Sequence, residues 1–158
     1  MNIYNTPLND AYIIEPKVFG DDRGFFFESF NEKIFFSRIN QTFKFVQDNH
    51  SRSKKNILRG LHYQIHNAQD KLVRVTSGRV YDVIVDLREG SNTFGKVFGL
   101  ELSAENKKQL FVPKGFAHGF LVLSDFADFQ YKTSDYYYPE HERVLLWNCK
   151  KINIDWPI

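Results

Sequence analysis

The run Leu58–Arg59–Gly60–Leu61–His62–Tyr63–Gln64 sets an arginine and a histidine into an otherwise strand-like, apolar stretch. Polar side chains in such a run are costly to bury unless something answers them. Histidine is the side chain best suited to proton transfer near neutrality, which makes His62 a candidate general base. A hydrogen-bonded core histidine fits the same pattern. Two-residue alternation puts Arg59 off the face that carries Leu58 and His62, although strand ends and bulges redirect side chains.

Lys71 opens the next apolar run, Lys71–Leu72–Val73–Arg74–Val75. A lysine aimed into a barrel could stabilise a developing oxyanion. Taken alone, an edge lysine that discourages strand aggregation fits better. Farther on, Phe129–Gln130–Tyr131–Lys132 and Tyr136–Tyr137–Tyr138–Pro139 form a tyrosine-rich corner. A phenol can return a proton to a carbanion, and a tyrosine face can stack on a sugar or a base. For most of these four tyrosines, packing with one hydrogen bond is the simpler reading.

The segment from Pro113 to His118 carries a Pro-x-Gly-x-x-His pattern, as found in the second half of metal-binding cupin motifs. A metal site also needs two closely spaced histidines and a carboxylate on preceding strands. His62 and His66 stand four apart, but no glutamate follows at a suitable distance, and Lys71 and Arg74 fill the stretch where ligands would be wanted. The sequence therefore predicts no metal. His50, His66 and His141 lie in polar, loop-like surroundings and read as solvated surface residues.

The elements that must hold these residues are short strands. Asn9 to Pro16 reads as a strand, Phe19 to Gly24 as a turn, Phe25 to Phe30 as a strand, and Glu32 to Ile39 as a short helix on the spacing of Ile34, Phe35, Arg38 and Ile39. Further strands are predicted over Phe43–Asn49, Ile57–Gln64, Lys71–Ser77, Arg79–Asp86, Phe94–Glu101, Gln109–Val112, Ala117–Val122, Asp128–Thr133 and Val144–Trp147. Turn formers separate them at Ser77–Gly78, Glu89–Asn92 and Pro113–Gly115. Many short antiparallel strands folding back on themselves leave a cavity inside. The expected fold is all-β, a cupin-type jelly-roll barrel with one or two short helices, in one domain spanning residues 1–158.

Composition agrees. With 158 residues, 42% hydrophobic and 16% aromatic, the chain has the apolar mass for one sizeable core. A net charge of +2 gives no support to nucleic-acid or membrane-surface binding, while a local basic pocket for a phosphate-bearing small molecule remains compatible. The single cysteine, Cys149, excludes an internal disulfide framework and suits a reducing cytoplasm. The N-terminal segment has no basic stretch followed by an apolar run, and no segment approaches membrane-spanning length.

Seven segments in order resemble the dTDP-4-dehydrorhamnose 3,5-epimerase family. They are Gly20–Glu28 (GDDRGFFFE), Phe45–Ser51 (FVQDNHS), Leu58–Gln64 (LRGLHYQ), Lys71–Val75 (KLVRV), Leu102–Asn106 (LSAEN), Pro113–Phe120 (PKGFAHGF) and Tyr131–Lys132. The resemblance runs from near residue 12 to Trp156. It implies a metal-free, cofactor-free isomerase acting on a nucleoside-diphosphate 4-keto-6-deoxy sugar. His62 would be the general base, Lys71 would steady the enolate oxygen at C4, and Tyr131 would return a proton from the opposite face. Arg59 resembles the diphosphate-binding arginine. Arg23 resembles a second phosphate ligand, contributed in the family by the partner subunit of a homodimer. Glu28, Gln47 and Asn49 match positions near the nucleotide, and His118 and Tyr137 match positions lining the sugar pocket.

The family pairs its catalytic histidine with an aspartate beyond the Trp-Pro that corresponds to Trp156–Pro157, and this sequence stops at Ile158. Three explanations stand open: a shortened sequence, a weakened enzyme, or a naturally short variant in which Asp82 or Asp86 takes the aspartate's place. Alternatives to the 3,5-epimerase reading are an enzyme that inverts one centre or takes another sugar, such as a GDP-heptose, and a non-catalytic cupin that binds a nucleotide sugar.

Overall fold

The computed structural model describes residues 1–158. The chain opens with β1 (Asn2–Asn5), β2 (Tyr12–Glu15) and a small hairpin of β3 (Phe19–Asp21) and β4 (Gly24–Phe26). Helix α1 (Glu32–Ile39) follows, with the bounds the sequence predicts. Its start is fixed by Asn31, whose side-chain oxygen accepts from the Ile34 amide, and its end by Asn40 in the left-handed conformation. Phe35 and Ile39, one turn apart, are its buried face.

The remaining strands are β5 (Gln47–Lys54), β6 (Leu58–Gln64), β7 (Lys71–Ser77), β8 (Arg79–Asp86) and β9 (Val97–Ser103). They continue with β10 (Gln109–Val112), β11 (Phe116–Val122), β12 (Phe126–Thr133), a single 3-10 turn at Pro139–His141, and β13 (Glu142–Val144). Two antiparallel sheets result. One has the order β1-β2-β10-β7-β12-β5 and the other β13-β6-β11-β8-β9. The strands cross between sheets in the manner of a jelly roll, as expected, with two facing sheets rather than one continuously hydrogen-bonded barrel. No helix is long and apolar enough to cross a membrane.

Three apolar layers hold the sheets. Val73, Val75, Ile84, Leu110, Phe120 and Phe129 pack between them. Phe35 and Ile39 of α1 cover Ile14, Leu72 and Phe111 on the outer face of the six-stranded sheet, with Phe43 and Phe45 packed alongside. Trp156 and the neighbouring Ile152 and Ile154 cover Leu61, Val83 and Val85 on the outer face of the five-stranded sheet. The Trp156 indole N–H donates to the Trp147 carbonyl at 2.9 Å and pins this terminal segment. Strands β8 and β11 are thus buried on both faces and lack the alternation of a half-solvated strand.

Two differences from expectation have physical causes. The expected strand Phe43–Asn49 starts later and runs further, because Phe43 and Phe45 are occupied under α1. The polar run Gln47–Lys54 then forms an edge strand that alternates strictly between a half-buried and an exposed face. The second difference is a bulge. His62 pairs with His118 while Arg59 pairs with Phe120, so three steps along β6 oppose two along β11. Gly60 makes this possible: its φ is +103°, and a Cβ there would lie 2.6 Å from the His118 carbonyl oxygen and 2.7 Å from Gly119 Cα. Gly60→Ala should therefore destabilise the fold by about 1–3 kcal/mol, measured by urea unfolding. A variant as stable as the parent would show that the bulge tolerates a side chain.

Candidate active site

A cleft of about 330 Å³ opens between the two sheets at one end of the sandwich. Eight of the ten residues expected to bind or react line it: Gln47, Asn49, Arg59, His62, Lys71, His118, Tyr131 and Tyr137. The walls divide by sheet. Arg59 and His62 on β6 and His118 on β11 come from the five-stranded sheet, with Glu142 of β13 beside them. Lys71 on β7, Tyr131 on β12, and Gln47 and Asn49 on β5 come from the six-stranded sheet. His62 and Tyr131 therefore reach the cavity from opposite walls.

The bulge at Gly60 explains how Arg59 and His62, three apart in sequence, share one cavity. Strict alternation would set them on opposite faces, as the sequence reading has it. The extra residue in β6 turns both inward. Arg59 Nε–H donates to Ser53 Oγ at 2.7 Å, and the two terminal nitrogens of the guanidinium make no other bond. That leaves a planar donor fork at the mouth, suited to an anion with paired oxygens.

Lys71 is the most unusual group. Only 8% exposed, it makes no hydrogen bond or ion pair, and its Nζ stands 5.9 Å from the centre of the Tyr131 ring. Burial lowers its pKa to about 8, against the opposing pull of the Glu142 and Asp82 carboxylates. Burial also lowers His62 below the ordinary histidine value; the cations Lys71 and Arg59 and the ring of His118 add to this, and Glu142 resists it. Tyr131 moves the other way. Burial raises its pKa and the Glu142 carboxylate adds to the rise, with Asn49 and Arg59 opposing. At neutral pH the site thus holds a neutral imidazole, a cationic amine and an intact phenol, the set that proton removal beside a carbonyl requires.

His118 is held by Asp82, whose two oxygens lie 3.1 and 2.9 Å from its Nε2, and its ring stacks on Phe129 at 5.8 Å. Burial raises the pKa of Asp82, while His118 and Lys71 act to lower it. Asp82 is thus committed to His118, and Asp86 to Arg88, Ser91 and Thr93. Neither reaches His62, so the structure gives no support to either as the replacement for the family's aspartate. The carboxylate beside His62 is Glu142, whose Oε1 lies 3.0 Å from Nδ1. The sequence reading missed Glu142, because it sits where a new strand begins after the tyrosine corner and no local pattern points it at β6.

Two expected residues lie away from the cleft of this chain. Arg23 projects from the tip of the β3–β4 hairpin and pairs with Asp21. Glu28 is exposed and accepts from the Asn31 side-chain amide at 3.1 Å. His50, read as a loop residue, stands on the outward face of β5 with Nε2 3.0 Å from Asp128. His66 and His141 meet edge to face with ring centres 5.1 Å apart, away from the cleft. No three His, Cys, Asp or Glu side chains gather in a way that could hold a metal ion.

A jelly roll whose cavity carries an imidazole and a phenol on facing walls, with a buried lysine beside the phenol, has the architecture of a cupin-type enzyme. The particular family follows from comparison: over residues 5–158 the sequence matches that of dTDP-4-dehydrorhamnose 3,5-epimerase, and the chain belongs to this family. It is 60% identical over 158 residues to the dTDP-4-dehydrorhamnose 3,5-epimerase of Escherichia coli, covering 99% of this chain and 85% of that protein. Among solved structures it is similar to the dTDP-6-deoxy-D-glucose-3,5-epimerase of Legionella pneumophila in complex with dTDP-4-keto-L-rhamnose. There the TM-score is 0.97 at 55% identity, covering 99% of this chain and 84% of that one. The Bacillus anthracis dTDP-4-dehydrorhamnose 3,5-epimerase, solved with TDP and PPi bound, superimposes with a TM-score of 0.95 at 48% identity, covering 99% and 90%.

The buried ammonium makes a prediction about stability. The unfolded chain keeps the Lys71 proton up to the ordinary lysine range, and the folded chain gives it up near pH 8. Between those values the unfolded state binds more protons, so this contribution to stability climbs with pH. Keeping Lys71 charged at pH 7 costs on the order of 3 kcal/mol. Lys71→Met should therefore be more stable than the parent at pH 7, with the gap closing as pH rises past 8. Urea midpoints measured across that range check the sign, and a gap that widens with pH would overturn it.

Proposed function

We propose that this chain is an isomerase that epimerises dTDP-4-dehydro-6-deoxyglucose at C3 and C5 to give dTDP-4-dehydro-L-rhamnose, without metal or cofactor. The observation that carries the reading is the placement of His62 and Tyr131 on opposite walls of one cavity, with Lys71 buried beside Tyr131. Inversion at carbon needs a proton taken from one face and another delivered to the other.

The C4 ketone acidifies the hydrogens on C3 and C5. His62, neutral at working pH, accepts the proton from carbon. The electron pair moves onto the C4 oxygen, and the buried Lys71 ammonium stabilises the enolate. Tyr131, kept protonated by its raised pKa, returns a proton to the opposite face. His118, held by Asp82, lines the sugar end of the cavity, and Arg59 offers its open fork to the diphosphate. Gln47, Asn49 and Tyr137 form one hydrogen-bonded wall for the nucleotide. Gln47 Nε2 donates to Asn49 Oδ1 at 3.0 Å, and the Tyr137 amide donates to Gln47 Oε1 at 3.2 Å.

Arg23 and Glu28 enter the same reading through a second subunit. The β3–β4 hairpin exposes Phe19, Phe25 and Phe26 at 54%, 64% and 67%. Apolar surface of this kind on a projecting hairpin is better covered than left in water. In a homodimer the hairpin would reach the partner's cleft and present Arg23 to the diphosphate and Glu28 to the nucleotide. A free, half-buried Cys149 is in keeping with work in the reducing cytoplasm.

Incubation with dTDP-4-dehydro-6-deoxyglucose in heavy water, followed by NMR, should show deuterium at both C3 and C5 with inverted configuration. Deuterium at one carbon would make the protein a single-centre epimerase, and none would remove the reading. His62→Ala should lower the rate by about 10²–10⁴ with nucleotide binding retained, whereas Arg59→Ala should weaken binding by roughly 10–100-fold. In the parent enzyme kcat/KM should fall on the alkaline side through about pH 8 as Lys71 loses its proton. The acid-side loss should come only below the ordinary histidine range, where His62 protonates.

A further inference from the structure

We infer that Ser53 is the positioning residue of Arg59: its hydroxyl holds the guanidinium by Nε and keeps the two terminal nitrogens aimed at the diphosphate. The inference rests on the reading of Arg59 as a diphosphate ligand, and it adds a residue that lies outside the cleft itself.

Strand β5 gives the first sign of such a role. Its inward-facing positions Gln47, Asn49 and Ser51 are half-buried and line the cleft, whereas the next, Ser53, is 5% exposed and does not line it. Ser53 is the one buried residue of this polar edge strand, and it pairs with the buried Ala127 of β12. A buried hydroxyl is costly unless it is hydrogen-bonded. The partner of this one is the Arg59 Nε–H, at 2.7 Å.

Arg59 is the opposite case, a long side chain exposed at the mouth. Left free, it would sample many rotamers and lose them only when a ligand arrives. The bond at Nε removes that freedom in advance, and what remains on offer is the pair of terminal nitrogens that matches two phosphate oxygens. The anchor is also neutral. Arg52, on the other face of β5, gives Nε and a terminal nitrogen to Asp128, and Arg88 is bound to Asp86 and Asp10. Arg59 enters no ion pair. A carboxylate at position 53 would fix the side chain and neutralise it, whereas a hydroxyl fixes it and leaves the charge for an anion.

The path of the chain explains why the two residues meet. They stand on either side of residues 55–57, where the chain passes from the six-stranded sheet to the five-stranded one. The Lys55 amide donates to the Asp125 carbonyl at 2.9 Å and the Asn56 amide to the Val122 carbonyl at 3.0 Å, which ties this corner down. One sheet therefore carries the serine and the other carries the arginine, and their bond spans the corner between them.

Calorimetric titration of TDP and of pyrophosphate into the parent, Ser53→Ala, Arg59→Ala and the double variant is the test. Ser53→Ala should weaken both ligands by roughly three- to tenfold, the cost of ordering one free arginine on binding. KM for the nucleotide sugar should rise by the same factor while kcat falls by less than about twofold. In the Arg59→Ala background the same substitution should change neither affinity further, because the serine acts only through the arginine. Ser53→Thr keeps the hydroxyl on a side chain that suits a strand, and it should restore TDP affinity. Additive losses in the double variant would overturn the inference. So would parent-like TDP affinity in Ser53→Ala beside a weakened Arg59→Ala, and a lowered urea midpoint there would make Ser53 a clasp between sheets. Parent-like affinity in Arg59→Ala would instead remove the diphosphate reading of Arg59, and the inference with it.

Discussion

The site depends on a place where two backbones nearly touch. Gly60 of β6 crosses Gly119 of β11 so closely that a Cβ on Gly60 would meet Gly119 Cα at 2.7 Å, and one on Gly119 would meet the Arg59 carbonyl at 2.5 Å. Side chains on either residue would force the strands apart. Without them β6 can bulge, and the bulge brings Arg59 and His62 to one cavity from positions three apart. A regular strand could present one or the other. The two glycines therefore shape the cavity as much as the side chains that line it.

Around that junction the charge is arranged so that each group's protonation suits its task. Lys71 has no direct partner, so burial depresses its pKa without removing its charge at neutral pH. Asp82 answers His118 and lies near enough to Lys71 to offset part of its burial. Glu142 acts on both His62 and Lys71, raising each against the pull of burial. One carboxylate beside both groups thus limits how far burial lowers the pKa of His62 and of Lys71. The energy lost in burying these groups is offset by the apolar layers on the outer faces of both sheets.

Much of this could be read from residue order. Helix α1 and strands β7, β8 and β10 fall where periodicity and turn formers put them, because each has a clear apolar face or an uninterrupted buried run. His62, Lys71 and Tyr131 stood out as polar groups in apolar strands, and the family resemblance ranked them. The rest was hidden for specific reasons. Strand β5 is almost wholly polar, since one of its faces lines a wet cavity and the other meets solvent, so it carries no apolar signature. β1 is a mostly exposed four-residue strand with nothing to set it apart from a loop. The inward turn of Arg59 depends on a bulge, which a glycine permits but does not announce. The partners of His118 and His62 come from residues 36 and 80 positions away in the chain, a relation that only the register of β8, β11 and β13 on either side of β6 determines.

That last relation bears on how the molecule comes into being. The cleft draws its walls from Gln47 to Glu142, and its edge strand β5 pairs with β12 across some eighty residues of chain. Pairings of such separation carry a large loop-closure cost and form late in folding. His62, Lys71 and Tyr131 themselves span residues 62–131, and the walls that enclose them reach from residue 47 to residue 142. The cavity closes only when both sheets have reached register, so catalytic competence is a readout of the completed fold, and partly folded chains in a refolding mixture are silent.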